Sequence, residues 1–166
     1  MHNKTISIFK NQIFLEIINE IKLFSKFKIK YYEDLDLCIK DAEKQNLLVI
    51  FFVSEKNKHF LKNNNTYNFP LLLVVESLFK KPHFFNALHE QINMPFSILK
   101  LEKKIVTLLA KNEFKKNSLI RLANYTVDKN ERKIKKNNLE LQLSEKEIDF
   151  LVLFSTNKNP ISRNSV

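Results

Sequence analysis

Seven consecutive apolar residues, from Leu47 to Val53, constrain the fold more than any other stretch of this sequence. A strand buried on both faces of a parallel sheet needs such an unbroken run, whereas a strand with one wet face alternates apolar and polar residues. Pro70 to Val75 is a second run of this kind. We therefore expect both segments to lie at the centre of a parallel sheet.

The segments around these two runs alternate between strand and helix patterns. The predicted strands are Thr5 to Phe9, Phe27 to Tyr32, Leu47 to Val53, Pro70 to Val75 and Ile92 to Met94. The predicted helices are Ile13 to Phe24, Leu35 to Lys44, Ser54 to Lys62, Leu78 to Gln91 and Ile98 to about Lys111. This alternation predicts an α/β fold with a doubly wound parallel sheet, and the length suits the flavodoxin-like strand order 2-1-3-4-5.

From Ser118 onward the pattern changes to short antiparallel strands. These are Leu119 to Val127, Arg132 to Lys135 and Leu139 to Leu143, with turns at Asp128 to Asn130 and Asn137 to Asn138. The chain contains no glycine, so asparagine is the residue expected wherever a turn needs positive φ. We predict a domain over 1–112, a linker over 113–117 and a second region over 118–166.

A helix is predicted to follow the last of these strands. Ser144 and Glu147 have the spacing of a capping box, in which each side chain bonds a backbone N–H, so the helix should begin at Glu145. The Asn and Pro residues of 157–160 should end it, and a second helix should start at Ser162. The buried face of the helix that begins at Glu145 is expected to consist of Ile148, Leu151, Val152 and Phe154. An ordinary capped amphipathic helix explains these features equally well.

The C-terminal stretch resembles the first helix, and the start of the second, in the winged-helix DNA-binding domain of OmpR/PhoB-type response regulators. The matching residues are Leu143, Ser144, Lys146, Glu147, Leu151 and Pro160 to Arg163, together with Asp128 and Arg132 four residues apart. The first 112 residues are similar to the receiver domain of the same family, including Met94-Pro95-Phe96 where receivers usually carry Lys-Pro-Phe. The resemblance thus implies a receiver followed by part of a winged helix.

Receivers take a phosphoryl group on an Asp at the end of the third strand and need Mg²⁺ held by an acidic pair. By this resemblance the acidic pair falls at Phe9, Lys10 and Asn11, and the acceptor falls at Phe51, or at Phe52 if the register shifts by one. The residue whose hydroxyl group closes over the phosphoryl group in receivers falls at Val75, and the lysine of the fifth strand that pairs with that group falls at Met94. None of these residues supplies the required chemistry, so we predict a pocket filled by core residues and no phosphorylation.

No catalytic, metal or cofactor site is predicted elsewhere. A glycine-rich phosphate loop is excluded by the absence of glycine. His59, His83 and His89 are too far apart for a zinc-site spacing, and we expect them on the surface of helices or partly buried there. Cys38 is the single cysteine and should be a small buried apolar residue. The chain is therefore not expected to be an enzyme or to bind a small-molecule substrate.

The net charge of +10 is compatible with binding to nucleic-acid phosphates. Candidate phosphate contacts are Lys133, Lys135, Lys136 and Arg163, although such lysines also occur on purely solvated faces. A coding sequence rich in A and T would produce the same Lys, Asn, Ile and Phe bias. The resemblance places the recognition helix and wing after Val166, so sequence-specific reading by these residues alone is not expected.

Two functions remain open at this point. The first is a DNA-binding transcriptional regulator of the two-component response-regulator family with a receiver that cannot be phosphorylated. The alternative is a truncated dimerisation or protein-interaction module that reads no DNA. The resemblance implies a homodimer through Leu78 to Lys111, where Ile98 to Leu109 carries more apolar residues than one buried stripe needs. We expect a cytoplasmic location, because no stretch has the length and apolarity of a membrane span or a signal peptide.

Overall fold

The computed structural model describes residues 4–45, 47–54, 67–76 and 86–156. The chain forms two compact units, Met1–Asn112 and Glu113–Val166. No helix within the described ranges is long and apolar enough to cross a membrane.

The first unit is built on a five-stranded parallel sheet. Its strands are β1 (Thr5–Phe9), β2 (Lys28–Tyr32), β3 (Leu48–Phe52), β4 (Leu71–Val75) and β5 (His89–Asn93). The helices described in this unit are α1 (Gln12–Glu20), α2 (Leu35–Gln45) and α3 (Ile98–Ser118), which continues past Asn112, and a 3₁₀ turn spans Lys22–Phe24. The strand order is β2-β1-β3-β4-β5, which confirms the predicted flavodoxin-like sheet.

The two faces of this sheet are buried in separate apolar layers. Ile8 and Ile50 belong to the layer that α1 and α3 cover, whereas Phe9 and Phe51, one residue further along, belong to the layer that α2 covers. Because side chains of a strand alternate between the two faces, only a continuous apolar run can fill both layers. The runs in β3 and β4 therefore occupy the centre of the sheet, as predicted.

The fifth strand differs from the prediction. It spans His89–Asn93, not Ile92 to Met94, and residues 86–91 are not helical, so the predicted helix Leu78 to Gln91 is wrong over its last part. The rest of that helix, with Pro82, and the predicted helix after Ser54 lie outside the described residues. The polar residues of β5 hid the strand, because an edge strand pairs on one side only and tolerates them.

Two helix ends also differ from the prediction. The first helix stops at Glu20 because Ile21 has extended backbone angles, and only the 3₁₀ turn follows. Helix α3 continues to Ser118 rather than ending near Lys111, so the segment 113–117, predicted as a linker, is helical. No glycine or proline interrupts this segment, and its lysines are good helix formers.

Over its described residues, the second unit contains a four-stranded antiparallel sheet followed by one helix. The strands are β6 (Leu119–Leu122), β7 (Tyr125–Asp128), β8 (Lys133–Lys136) and β9 (Leu139–Gln142), in that order across the sheet, and the helix is α4 (Glu145–Thr156). The segment predicted as one strand over Leu119 to Val127 is a hairpin with a turn at Ala123 and Asn124. The apolar pattern continues across this turn and concealed it.

Turns with positive φ are not confined to asparagine. Asn137 takes a φ of 52° in the predicted turn, but Lys10, Ala123 and Arg132 also have φ between 49° and 53°. The expectation that asparagine would serve at such positions is therefore wrong for three of the four that the described ranges contain. A chain without glycine accepts the steric cost of a side chain at these sites.

Helix α4 begins at Glu145 and is capped as predicted. The Glu147 N–H donates to Ser144 Oγ at 3.3 Å, and the Ser144 N–H donates to Glu147 Oε2 at 2.7 Å. Ile148 is buried against Val127 and Leu143. Phe154, predicted on the buried face, is 47% exposed. The helix predicted from Ser162 lies outside the described residues.

Cys38 is fully buried in the layer under α2, as predicted. Burial raises the pKa of its thiol to about 12, and the nearby Asp41 carboxylate adds to this shift. Asp41 accepts a hydrogen bond from the hydroxyl of Tyr32 at 2.8 Å. The pKa of Tyr32 is raised to about 12, first by burial and then by this carboxylate. Both groups are therefore neutral components of the core at physiological pH.

We expect Cys38 to react with a thiol reagent about a hundredfold more slowly in the folded chain than in denaturant, because the reactive thiolate forms only on local opening. The assay is thiol labelling followed by mass spectrometry. The double variant Cys38→Ala, Ser155→Cys carries a thiol on the exposed part of α4 and should react rapidly. Equal rates for the two thiols in the folded chain would contradict the assigned burial.

We expect Ser144→Ala to destabilise α4 by about 1 kcal/mol, because the helix loses its N-cap acceptor. The measurement is hydrogen exchange of the α4 amides in the intact chain. Ser155→Ala in the same helix is the matched control, since its hydroxyl bonds only a carbonyl one turn back and caps nothing. Equal exchange in both variants would show that the capping box contributes no stability.

Candidate functional site

The receiver-like pocket positions lie where β1 and β3 end side by side. Phe9 and Phe51 are paired in the register of these two strands, and their rings stack with centroids 5.1 Å apart and planes inclined by 18°. The two side chains are 1% and 2% exposed, respectively. Offset stacked rings attract each other beyond the apolar area they bury. At this point the sheet therefore carries a pair of stacked rings and no carboxylate.

The ring that faces Phe9 belongs to Phe51 and not to Phe52. Phe52 points to the opposite face of the sheet, where its ring meets the edge of Phe14 at a centroid distance of 4.7 Å. Val75 is completely buried in the same layer as Phe9 and Phe51. Three of the six predicted pocket residues thus come together as packed core.

The other three pocket residues do not join this layer. Lys10 is exposed, its N–H donates to the carbonyl of Tyr32 at 2.9 Å, and its Nζ lies 5.5 Å from the ring centroid of Phe9. Asn11 uses its side-chain oxygen to cap α1, accepting the N–H of Phe14 at 2.9 Å. Met94 is 37% exposed and follows β5 in a cis peptide bond to Pro95.

The six predicted pocket residues include no carboxylate that could bind a cation. Mg²⁺ prefers several carboxylate or carbonyl oxygens in octahedral geometry. The amide oxygen of Asn11 already accepts a hydrogen bond, and the ammonium group of Lys10 adds a positive charge. Within residues 4–45, 47–54, 67–76 and 86–156, no group of three His, Cys, Asp or Glu side chains could hold a metal ion.

The predicted phosphate-binding lysines do not form one patch. Lys133 and Lys135 lie on the same side of β8 and both contact the carboxylate of Glu140 on β9, at 2.5 and 2.8 Å. Hydrogen bonds from Lys133 and then Lys135 lower the pKa of Glu140 to about 2. Lys136 alternates to the other side, where its Nζ lies 4.8 Å from the ring centroid of Tyr125. Arg163 lies outside the described residues.

Two groups of polar contacts were missed by sequence reasoning because β5 was predicted as helix. His89 is buried, with Nε2 3.0 Å from the carbonyl oxygen of Tyr67, so it is not a residue of a helix surface. Glu90 receives Lys104 Nζ at 3.0 Å and Lys111 Nζ at 2.9 Å, one on each carboxylate oxygen. The seven-residue spacing of these lysines places them on one side of α3 and was the available signal.

Comparison with known proteins gives a likeness in structure only. No profile of a known family matches the chain, and no curated protein sequence matches it. A mutant of RitR is similar with a TM-score of 0.52 and 14% identity, covering 98% of this chain and 78% of its own. The constitutive lysine decarboxylase of E. coli gives a TM-score of 0.48 and 13% identity over 69% of this chain and 18% of its own. DrrB, an OmpR/PhoB homologue from Thermotoga maritima, gives a TM-score of 0.38 and 14% identity, and the match covers 98% of this chain and 77% of DrrB.

At this identity the likeness to RitR shows a shared fold, and the two lower TM-scores carry no argument. Both units of the fold agree with the sequence resemblance, since a parallel sheet in the order β2-β1-β3-β4-β5 precedes a small antiparallel sheet and a capped helix. The chain therefore has the fold that its resemblance to OmpR/PhoB-type response regulators implies, a receiver-like unit followed by a winged-helix-like region.

Proposed function

We propose that the chain is a regulatory protein of the response-regulator type whose receiver-like unit acts without phosphorylation. The stacked pair of Phe9 and Phe51 is the observation that carries this proposal. A phosphoryl acceptor needs an exposed carboxylate beside a bound cation, whereas these positions hold two buried rings and the ammonium group of Lys10. The unit would then signal through a fixed surface and not through a phosphorylation switch.

We expect no Mg²⁺-dependent modification when the intact chain is incubated with acetyl phosphate, and no uptake of beryllofluoride. Intact-mass spectrometry and fluorine NMR are the measurements, each with and without Mg²⁺. Asp34 after β2 and Glu76 after β4 are carboxylates at the same edge of the sheet. The variants Asp34→Asn and Glu76→Gln would identify either residue as a substitute acceptor. A Mg²⁺-dependent gain of one phosphoryl group by the wild-type chain would refute the proposal.

For the output of the second unit, we propose DNA binding as in a transcriptional regulator. The sequence resemblance to a winged helix and the antiparallel sheet followed by α4 support this proposal. The net charge of +10 favours association with phosphates. Lys133 and Lys135 are the described candidates that share a face, although Glu140 between them offsets part of their charge.

We expect the chain to bind duplex DNA with an affinity that falls steeply between two salt concentrations, because released counterions drive such binding. The double variant Lys133→Gln, Lys135→Gln should weaken binding to every duplex about equally and should reduce the salt dependence. Lys28→Gln, Lys44→Gln in the first unit is the matched control. Gel-shift titration measures both effects. Undiminished binding by the Lys133 and Lys135 variant would exclude these contacts.

The alternative output is a protein-interaction module that does not bind DNA. The contacts of Glu140 favour it, because a carboxylate between two lysines repels a phosphate group that approaches them. Absence of duplex binding at low salt would support this alternative and exclude the DNA-binding regulator. Tight binding that favours one duplex sequence would exclude the interaction-only module.

A further inference from the structure

Three of the five residues that line a groove between β5 and α3 are lysines. The groove has a volume of about 280 Å³, and its lining consists of Glu90, Lys100, Lys103, Lys104 and Thr107. We call these five residues the α3 lysine groove. Neither the receiver-like pocket nor the candidate DNA contacts include any of them, so the groove has no role in the function proposed above.

Some lysines of the α3 lysine groove form ion pairs and others do not. Lys104 binds Glu90, whose second carboxylate oxygen is taken by Lys111, and hydrogen bonds from Lys111 and Lys104 lower the pKa of Glu90. Within the described residues, Lys100 and Lys103 are exposed and form no ion pair. The groove therefore presents the ammonium groups of Lys100 and Lys103 near a carboxylate whose two oxygens each already bind another lysine.

Two exposed apolar residues lie on α3 beside these lysines. Leu99 is 71% exposed and Val106 is 40% exposed. Together with Lys103 they follow the spacing i, i+4 and i+7, which places all three on one side of a helix. Exposed apolar residues next to cations fit an amphipathic partner better than a phosphate backbone, because phosphates offer nothing apolar for Leu99 to contact.

The charge of this face disfavours a second copy of the chain as its partner. Leu78 to Lys111, the segment predicted to mediate a homodimer, contains six lysines and two glutamates. Both glutamates are occupied, since Glu90 binds two lysines and Glu102 binds Lys26. A two-fold interface brings the same patch of each copy together, and this segment has no unpaired glutamate to offer to Lys100 and Lys103 of the other copy. Like charges placed against each other oppose association.

From these observations we infer that the α3 lysine groove is a docking site for an acidic, amphipathic segment of another protein. Carboxylates of that segment would pair with Lys100 and Lys103, and its apolar side chains would cover Leu99 and Val106. The inference does not depend on phosphorylation or on DNA binding, so it can fail while the proposed function holds, and the reverse is also true.

The test uses the intact chain and a fluorescent twelve-residue peptide with Glu and Leu at helical spacing, measured by fluorescence anisotropy at low salt. We expect saturable binding that Lys100→Glu, Lys103→Glu weakens by about tenfold or more, since charge reversal replaces attraction with repulsion. Lys40→Glu, Lys44→Glu on exposed positions of α2 is the matched control and should change the affinity less than twofold. Circular dichroism confirms that both variants fold.

Two further measurements separate docking of an amphipathic segment from binding through charge alone. Leu99→Ser should weaken peptide binding while Lys100 and Lys103 are intact, which binding through charge alone would not show. A scrambled peptide of the same composition should bind more weakly than the helical one. The inference is overturned by the absence of peptide binding at low salt, by equal losses in the α2 control, by a duplex of equal charge that displaces the peptide, or by a dimer in light scattering that Lys100→Glu, Lys103→Glu dissociates.

Discussion

The stacking of Phe9 on Phe51 is the contact on which the organisation of the first unit depends. The two rings join the neighbouring strands β1 and β3 at the end where a receiver would hold its charges. Protein interiors are close-packed, and an ionised group placed in such a layer would lose its hydration without gaining a partner. The same packing that completes the core under α2 therefore places two apolar rings, and no carboxylate, at the ends of these two strands.

Outside this apolar layer, the ion pairs of the lysines determine which positive charges remain on the surface. Lys104 and Lys111 hold β5 to α3 through Glu90, and Lys133 and Lys135 hold β8 to β9 through Glu140. These are exposed or half-exposed pairs, which individually contribute little stability because water screens them. Their more important effect is on the surface potential, since they leave some lysines neutralised and others, such as Lys100, available to a partner.

A large part of the first unit could be predicted because its central strands are continuous apolar runs in the sequence. The run from Leu47 to Val53 predicted a strand buried on both faces, which β3 confirms, and the family resemblance put the acceptor position at Phe51 or Phe52. The structure shows that Phe51 is the residue opposite Phe9. The cap at Ser144 is similarly local, because its two partners are three residues apart. Such features depend on neighbours in sequence and on strand periodicity, which a single sequence contains.

The sequence by itself determined that the chain forms a parallel α/β sheet followed by short antiparallel strands, and that the positions which its family resemblance assigns to a phosphorylation site hold Phe, Lys, Asn, Val and Met. Only the tertiary structure decided that β5 starts at His89, that α3 continues through 113–117, and that Lys136 lies on the opposite side of β8 from Lys133 and Lys135. The physical reason is the range of the interactions. Apolar periodicity depends on residues that are close together in the sequence and can be read from it. An edge strand with polar residues is instead held by hydrogen bonds and ion pairs to residues distant in sequence.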